Sequence, residues 1–215
     1  MIKKIKTYLT IFISITGLVM ANDTENKKAV FAAGCFWGVE STFQQMNGVK
    51  STTVGYIGGK VKNPSYELVC TGLTGHAEAV EVVYNPNEVT FEKLLDTFFE
   101  LHDPTTLNRQ GPDVGTQYRS AAYFSNDDEK QIIERKINTL NESGKFTSKI
   151  VTEVEAISDF YNAEDYHQDY YKGTNFVITR FGPKKQYEAY KLYRDACGRD
   201  DRVKEIWGAQ AAFVK

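Results

Sequence analysis

The chain has 215 residues, a formal net charge of −2 and three cysteines. This length suits one domain with a sizeable core. The acidic balance argues against nucleic acid and anionic membrane surfaces as partners, because both attract basic proteins. Three cysteines are a poor framework for structural disulfides, which favours chemical roles for them.

The first 21 residues are typical of a secretory signal peptide. A segment with three lysines precedes an uncharged apolar stretch at 8–19. Residues 19–21 are small or of a kind that signal peptidases accept, which predicts cleavage after Ala21. An uncleaved anchor is the alternative, although the stretch is shorter than the roughly 20 apolar residues of a membrane-spanning helix. Cleavage would leave 23 basic against 28 acidic residues. We therefore expect an exported protein, periplasmic or secreted, with no stable membrane partner.

The predicted elements then follow in chain order. Strands are predicted at 29–33, 49–56, 77–84, 116–124 and 150–157, and helices from Phe36, from Phe91 after a Thr90 cap, at 127–144, 163–171 and 184–196. This order predicts an α+β fold, a two-layer sandwich of a mixed sheet with helices on one side and a ferredoxin-like core. We divide the chain into the signal peptide (1–21), a polar lead-in (22–28), a catalytic α+β domain (29–182) and a C-terminal helix followed by a helical or irregular tail (183–215).

The candidate nucleophile is Cys35. It lies between a short apolar strand and a helix whose buried stripe begins with Phe36, so its thiol is predicted at a helix N-terminus. The positive end of the helix dipole favours a thiolate, which predicts a pKa below the ordinary value of about 8.5. Trp37 lies off the buried stripe of its own helix and needs another reason for its position. This pattern favours a reactive thiol with an aromatic neighbour.

Glu78 is the candidate general acid. Strict alternation in the strand 77–84 places its carboxyl on the same face as Val80, Val82 and Tyr84. A carboxyl on an apolar face is desolvated, which raises its pKa and keeps it protonated near neutral pH. The alternative is a carboxylate at the strand end that points to solvent, and spacing alone leaves the two open.

Two tyrosines and two cysteines complete the candidates. Tyr66 follows a turn at 63–65 and Tyr118 stands where a long polar loop becomes a strand, so either phenol could donate to a substrate, with ordinary packing as the alternative. Cys197 follows the last predicted helix beside a glycine and arginines that favour a thiolate. Cys70 is flanked like a small buried residue and is interpreted as structural.

Other chemistries lack their spacing. The three histidines are scattered and no paired Cys/His cluster exists, so we expect no metal site and no cofactor. No glycine-rich phosphate motif follows a strand. A papain-type pairing of Cys35 with a histidine is not supported by spacing, although pairing in space stays open.

The stretch Gly34-Cys35-Phe36-Trp37-Gly38-Val39-Glu40 resembles the signature of the A-type peptide-methionine sulfoxide reductases. Further blocks resemble that family in the family's order: Gly55-Tyr56 with Gly58-Gly59, Asn63-Pro64-Ser65-Tyr66, Thr74 to Val80, His102-Asp103-Pro104, Asp113 to Ser120 and Ala163 to Gln168. The resemblance covers roughly Val30 to Tyr171. The tail, with Cys197-Gly198-Arg199-Asp200 and Ile206-Trp207-Gly208, resembles the subgroup with one recycling cysteine after the core.

The resemblance implies which groups bind the substrate, methionine sulfoxide in peptides or proteins or as the free amino acid. Phe36 and Trp37 would hold its S-methyl group, while protonated Glu78, Tyr66 and Tyr118 would hydrogen-bond the sulfoxide oxygen. Asp113 matches a family position near the pocket, with a role in orienting the loop or a water. The S epimer at sulfur is the implied substrate, since each epimer has its own enzyme class.

The resemblance also implies a thiol cycle. The Cys35 thiolate attacks the sulfoxide sulfur, methionine leaves, and Cys35 becomes a sulfenic acid that Cys197 converts to a disulfide. A thioredoxin-like reductant, outside the cytosol if the chain is exported, would then regenerate both thiols. Two alternatives stay open: a thiol peroxidase using the same site, and a module that binds oxidised methionine without turnover.

Overall fold

The protein is described here by a computed structural model that covers residues 25–211. The strands are β1 (Lys27–Ala33), β2 (Val49–Ile57), β3 (Ala77–Tyr84), β4 (Arg109–Gln110), β5 (Asp113–Val114), β6 (Ser120–Phe124), β7 (Glu153–Ala156), β8 (Tyr161–Asn162), β9 (Phe176–Thr179) and β10 (Gly182–Lys185). The helices are α1 (Phe36–Phe43), α2 (Tyr66–Cys70), α3 (Phe91–Glu100), α4 (Asp127–Glu142), α5 (Gln186–Cys197) and α6 (Arg199–Trp207).

The central sheet has six strands in the order β7-β6-β1-β3-β2-β8. β3 runs antiparallel to both β1 and β2, β6 runs antiparallel to β1, and β7 runs parallel to β6. The inner order β6-β1-β3-β2 is that of a split β-α-β core, because α1 links two strands that have β3 between them. The predicted α+β class, mixed sheet and ferredoxin-like core are confirmed.

This topology brings one end of three inner strands together. Phe31 pairs with Val80, and Ala33 pairs with Ser120. The C-terminal end of β1 therefore lies beside the N-terminal ends of β3 and β6. Cys35 follows β1 directly, while Glu78 opens β3, so residues distant in the sequence meet at one edge of the sheet.

The helices cover one face of the sheet. Aromatic and aliphatic side chains from α1, α3 and α4 pack there against β1 and β3, with Phe31 stacked between Phe43 and Phe98 at centroid distances of 5.3 and 5.1 Å. The opposite face carries a separate, smaller cluster built mostly of alanines, against which Phe160 packs. Burial of these two apolar faces is the main stabilising term of such a sandwich.

Several predicted bounds differ from the structure. The predicted strand 116–124 begins only at Ser120, because Thr116–Tyr118 forms a 3-10 turn, and the predicted strand 150–157 is limited to Glu153–Ala156. The predicted polar lead-in at 22–28 overlaps the first two residues of β1. The predicted signal peptide at 1–21 lies outside the described residues. Within the described range, no helix has the length and apolar character needed to cross a membrane.

The predicted helix 163–171 is wrong. The segment forms two short 3-10 turns, Asp165–His167 and Tyr170–Lys172, separated by Asp169 in the left-handed region at φ +56°. Contacts to distant residues override the local pattern: the Asp169 backbone N–H donates to Glu40 at 3.0 Å, and its carboxylate accepts from Gln44 at 2.6 Å. These bonds hold the chain against α1 in a path that an α-helix could not follow.

The C-terminal part contains a hairpin that the pattern did not predict and a second helix whose position within the expected helical or irregular tail was not predicted. The hairpin β9–β10 precedes α5, and its Phe176 and Ile178 are largely exposed, so it lacks the buried alternation that marks a strand. The predicted last helix 184–196 is observed as α5, and a further helix, α6, follows Gly198, whose left-handed conformation breaks the two apart.

Candidate active site

A cavity of about 440 Å³ opens where β1, β3 and β6 converge. All eight predicted site residues line it: Cys35, Phe36, Trp37, Tyr66, Glu78, Asp113, Tyr118 and Cys197. They come from six separate segments of the chain, and residues 35 and 197 are brought together only by the C-terminal helices. The structure therefore assembles the whole predicted set in one place.

Cys35 caps the N-terminus of α1 and is partly exposed in the cavity. The predicted fall of the Cys35 pKa is wrong. Burial raises the pKa of the Cys35 thiol well above its ordinary value, and the carboxyls of Glu78 and Asp113 add to the rise. Arg199 and the backbone N–H of Trp37 act in the opposite direction. The helix end lowers the thiol pKa as predicted, but desolvation outweighs it.

Glu78 is buried, with 2 % of its surface exposed, which excludes the solvent-facing alternative. Its Oε2 accepts a hydrogen bond from the backbone N–H of Phe36 at 3.1 Å. Burial raises the pKa of the Glu78 carboxyl to about 8, Asp113 contributes to the rise, and the Phe36 N–H opposes it. The group is therefore protonated at neutral pH and can donate a proton into the cavity.

The two predicted tyrosines are each half-buried at the cavity wall. Tyr66 begins α2, where the Ser65 hydroxyl accepts from the Leu68 N–H, and its own backbone N–H donates to Glu164 at 2.8 Å. Tyr118 ends the 3-10 turn before β6. Burial and the nearby Glu78 raise the pKa of both phenols above their ordinary value. Both are hydrogen-bond donors at neutral pH.

Aromatic rings form another part of the wall. Trp37 stacks on Tyr170 with ring centroids 3.8 Å apart and an angle of 5° between planes, which accounts for its position off the buried stripe of α1. Its Nε1–H donates to Nδ1 of His167 at 3.2 Å. His167 also contacts the rings of Phe36 and Tyr66, at 5.1 and 4.4 Å between centroids. The two aromatic wall residues are thus fixed by one buried histidine.

The segment before the 3-10 turn contributes Asp113. This residue belongs to β5, which pairs with β4 in a two-stranded hairpin beside the cavity. Burial raises the pKa of its carboxyl, while Arg199 and Arg180 lower it. The long polar loop before Tyr118 therefore contains a short hairpin, and this hairpin places a carboxyl group at the site.

Cys197 ends α5 at the opposite wall. Its thiol donates to the carbonyl oxygen of Arg194 at 3.1 Å, and within residues 25–211 both it and Cys35 are free thiols. Cys70 differs from its prediction. It is exposed at the end of α2, because Val69 is the residue of that short helix that turns into the core. Interpreting Cys70 as a buried structural residue is wrong, and it does not line the cavity.

A sequence model of the peptide methionine sulfoxide reductases matches residues 27–209, which include every residue of this cavity. The chain belongs to the peptide methionine sulfoxide reductase family. It is therefore an oxidoreductase, and the resemblance drawn from its motifs is confirmed.

Individual relatives agree with this membership. The peptide methionine sulfoxide reductase MsrA of Methanothermobacter thermautotrophicus is 56 % identical over 144 residues, which cover 67 % of this chain and 85 % of that protein. The structure of methionine sulfoxide reductase A of Corynebacterium diphtheriae has 40 % identity and a TM-score of 0.63, covering 69 % of this chain and 75 % of that one. The structure of reduced Mxr1 of Saccharomyces cerevisiae has 39 % identity and a TM-score of 0.63, and the match covers 69 % of this chain and 86 % of that one.

Sequence reasoning missed several residues of this reductase site. Beyond the predicted set, the cavity is lined by Gly38, Pro112, Arg180, Tyr190, Tyr193, Arg194 and Arg199. Arg199 stands two residues after Cys197, and the sequence pattern assigns the arginines there to Cys197, whereas the structure places Arg199 near Cys35. His167 lies in a motif block that the sequence does mark, but its partner Trp37 is 130 positions away. In the part of the chain described, no three His, Cys, Asp or Glu side chains cluster as a metal site.

Proposed function

We propose that the chain reduces the S epimer of methionine sulfoxide, in peptides or as the free amino acid, through a Cys35 sulfenic acid and a Cys35–Cys197 disulfide. The observation that carries this proposal is the convergence in one cavity of a thiol, a carboxyl group that is protonated at neutral pH and a pair of aromatic rings. Family membership supports the reaction class. The proposal includes the roles of the individual side chains in each step.

In the first step the sulfur of Cys35 attacks the sulfoxide sulfur while Glu78 gives its proton to the sulfoxide oxygen. Tyr66 and Tyr118 donate hydrogen bonds to that oxygen as its negative charge develops, which stabilises the transition state. The attack forms an S–S bond to the substrate, whose sulfur now carries the protonated oxygen as a hydroxyl. That hydroxyl then moves from the substrate sulfur to the Cys35 sulfur as the S–S bond breaks, and the electron pair of the S–S bond leaves with methionine, so Cys35 becomes a sulfenic acid. Phe36 and Trp37 enclose the S-methyl group.

In the second step the Cys197 thiol gives up its proton and its sulfur attacks the sulfur of the Cys35 sulfenic acid. A disulfide forms, the S–O bond breaks, and the hydroxyl leaves as water with that proton. Both residues line the same cavity, which supports this pairing over one with Cys70. Two electrons must then return to the enzyme. A thioredoxin-like dithiol would supply them by thiol–disulfide exchange, becoming a disulfide itself as Cys35 and Cys197 are freed.

The two alternatives are weaker. A thiol peroxidase does not require an apolar wall for an S-methyl group, yet Trp37 is stacked and hydrogen-bonded to form such a wall. A binding module without turnover does not require a nucleophile, an acid and a second thiol, and the cavity holds all three. The geometry supports the reductase more strongly than either alternative.

A single-turnover assay of the reduced protein tests the proposal. The S and R epimers of a methionine sulfoxide peptide are supplied separately, and the thiols are mapped by mass spectrometry. We expect methionine from the S epimer alone, together with a Cys35–Cys197 disulfide. No methionine from either epimer would favour the binding module. Oxidation of Cys35 by peroxide, with no turnover of either sulfoxide, would favour the peroxidase.

We also propose that the protein is exported and repairs oxidised proteins outside the cytosol. The support is the pattern of residues 1–21, with its basic start and its apolar stretch too short for a comfortable span. Expression of the full chain in a Gram-negative host, followed by fractionation and intact-mass measurement, tests this. A periplasmic product that begins at Asn22 is expected. A full-length product retained in the membrane would show an anchor instead.

A further inference from the structure

The buried arginine of the C-terminal helix has no role in the scheme above. Arg199 is the first residue of α6, only 7 % of its surface is exposed, and it lines the cavity. Long cationic side chains are rarely buried unless a negative group is near. Its location therefore calls for a partner inside the cavity.

Two glycines on either side of Cys35 make room for its guanidinium. A methyl group added at Gly34 would lie 2.7 Å from Nη2 of Arg199 and equally close to the Gln110 side chain, and one added at Gly38 would lie 2.9 Å from Nη1 of Arg199. Gly34 has φ +79°, so its backbone conformation alone favours glycine, but Gly38 lies inside α1 with no such need. Glycine inside a helix is less stable than alanine, and the close approach of Arg199 explains why it stands there.

The neighbouring arginines are already neutralised, whereas Arg199 is not. Nη2 of Arg194 lies 2.7 Å from the Asp200 carboxylate, and Nε of Arg202 lies 2.7 Å from that of Asp103. Among residues 25–211, no carboxylate oxygen lies within ion-pair distance of Arg199. Its charge is thus left for a group that becomes negative in the cavity during the reaction.

We propose that Arg199 is a positioning residue that acts through Cys35: α6 places its guanidinium between Gly34 and Gly38, and the positive charge stabilises the attacking thiolate. This inference rests on the proposed function in one respect: the Cys35 thiolate is taken to be the nucleophile that attacks the sulfoxide sulfur. It means that the C-terminal segment supplies both the second thiol, Cys197, and the charge that makes the first thiol reactive.

The charged groups around Cys35 support this assignment. Glu78 from β3, Asp113 from β5, and Tyr118 from the 3-10 turn face it as acids, and each disfavours a thiolate when ionised. Arg199 is the cation that lowers the Cys35 pKa against them. At neutral pH Glu78 and Tyr118 are protonated, so they do not cancel the charge of Arg199. Asp113 is the acid that interacts with both Arg199 and Cys35, and Arg199 opposes its effect on the thiol.

From the remaining sides, Tyr170 faces Cys35 as a protonated phenol, and Arg194 and Arg180 also line the cavity. Arg194 is held by Asp200, and Arg180 lies over the rings of Phe181 and Tyr193. Neither removes the need for Arg199, because neither guanidinium is seated on both glycines that flank the thiol.

The test measures the titration of Cys35 without any sulfoxide. In a full chain carrying Cys70→Ser and Cys197→Ser, Cys35 is the remaining thiol, and its alkylation by iodoacetamide is followed against pH. We expect Arg199→Ala to raise the apparent pKa and to slow alkylation at neutral pH about tenfold or more, the equivalent of one pKa unit. Arg199→Lys should restore part of the rate. Arg135→Ala, which removes an exposed cation on α4, is the control for net charge and should leave the titration unchanged.

Gly38→Ala provides a second, independent variant, because its methyl group displaces the guanidinium without removing the charge from the chain. It should reproduce the shift, and it should add nothing further in the Arg199→Ala background. An unchanged Cys35 titration in Arg199→Ala, or in Gly38→Ala, would overturn the proposal. Since alkylation requires no sulfoxide, failure of the reductase assay would not mimic either result.

Discussion

The Glu78 carboxyl accepts the backbone N–H of Phe36 at 3.1 Å, a bond that joins the start of β3 to the first turn of α1. The residue after the nucleophile thereby holds the acid in place. Because the bond comes from the main chain, the acid keeps its position whichever side chain enters the cavity. Burial of the same carboxyl keeps it protonated up to a pH of about 8.

Replacing Glu78 by glutamine should slow single-turnover reduction by about 10²- to 10⁴-fold, the usual contribution of a positioned acid. Glutamine can still accept the Phe36 N–H, so the geometry is kept while the proton is lost. In the parent protein, the single-turnover rate is divided by the fraction of Cys35 that is present as thiolate. This corrected rate should fall as pH rises through about 8, because Glu78 ionises there. Stopped-flow rates across pH check this. An alkaline fall that persists in Glu78→Gln would assign it to another group.

The same substitution should stabilise the fold. Unfolded Glu78 has a pKa of 4.5 and folded Glu78 one of about 8, so between these values folding takes up a proton. That uptake costs roughly 3 kcal/mol at pH 7, and glutamine avoids it. We expect Glu78→Gln to unfold at higher denaturant concentration than the parent at neutral pH. Below pH 4.5 Glu78 is protonated in both the folded and the unfolded protein, so the parent and the variant should have nearly the same free energy of unfolding. A difference in that free energy that does not become smaller in acid would contradict the assigned pKa.

Much of this site could be predicted from the sequence because its signals are local. The alternation around Glu78 gives its face, and the strand-cysteine-helix order gives the position of Cys35. The sign of the Cys35 pKa could not be predicted in the same way. It depends on desolvation and on Asp113 and Glu78, which the fold brings in from other segments.

The failures in the fold have the same origin. The segment 163–171 has the local pattern of a helix. Asp169 and Gln168 nevertheless form hydrogen bonds to α1 and β2, respectively, and these bonds hold the segment in a conformation that is not α-helical. In the hairpin β9–β10 the side chains of Phe176 and Ile178 are exposed. Its strands therefore lack the alternation of buried apolar and exposed polar residues by which a strand is predicted. Elements fixed by distant contacts leave little trace in their own segment.

Cys197→Ser should leave one turnover per enzyme intact and block recycling by a thioredoxin-like protein, because only the second step uses that thiol. Cys70→Ser is the matched control: it removes the third thiol, which is exposed and outside the cavity. The serine hydroxyl can keep the hydrogen bond that the Cys70 side chain makes with Tyr66, so neither step should change. Steady-state and single-turnover assays of both variants check this. Full recycling by Cys197→Ser, lost only when Cys70 is also removed, would make Cys70 the resolving thiol.

His167 should set substrate affinity through Trp37. Burial lowers the pKa of His167 to about 4, so at neutral pH its Nδ1 is free to accept the indole N–H. His167→Phe keeps an aromatic ring but leaves that buried donor unpaired, which typically costs about 1–3 kcal/mol. We expect KM for the sulfoxide to rise several-fold with a smaller change in kcat. In a Trp37→Phe background, which lacks the donor, the substitution should have less effect; equal effects in both backgrounds would exclude coupling.

The docking of α6 should depend on Asp103. This carboxylate is 5 % exposed, and Arg202 donates to it at 2.7 Å while Thr105 donates through its hydroxyl at 2.6 Å. Although burial opposes it, these hydrogen bonds hold the pKa of Asp103 below its ordinary value. Asp103→Asn removes the ion pair, so α6 should leave its place more often.

Limited trypsin digestion of the native protein measures that opening, since cleavage in the tail requires local unfolding. Cuts after Arg199 and Arg202 should appear faster in Asp103→Asn than in the parent. Asp96→Asn is the control, because Asp96 pairs with Lys136 at 2.6 Å between α3 and α4 and does not touch the tail. Equal acceleration in both variants would indicate global destabilisation. Faster cleavage in Asp103→Asn alone would identify the Asp103–Arg202 pair as the contact that keeps Cys197 and Arg199 at the cavity.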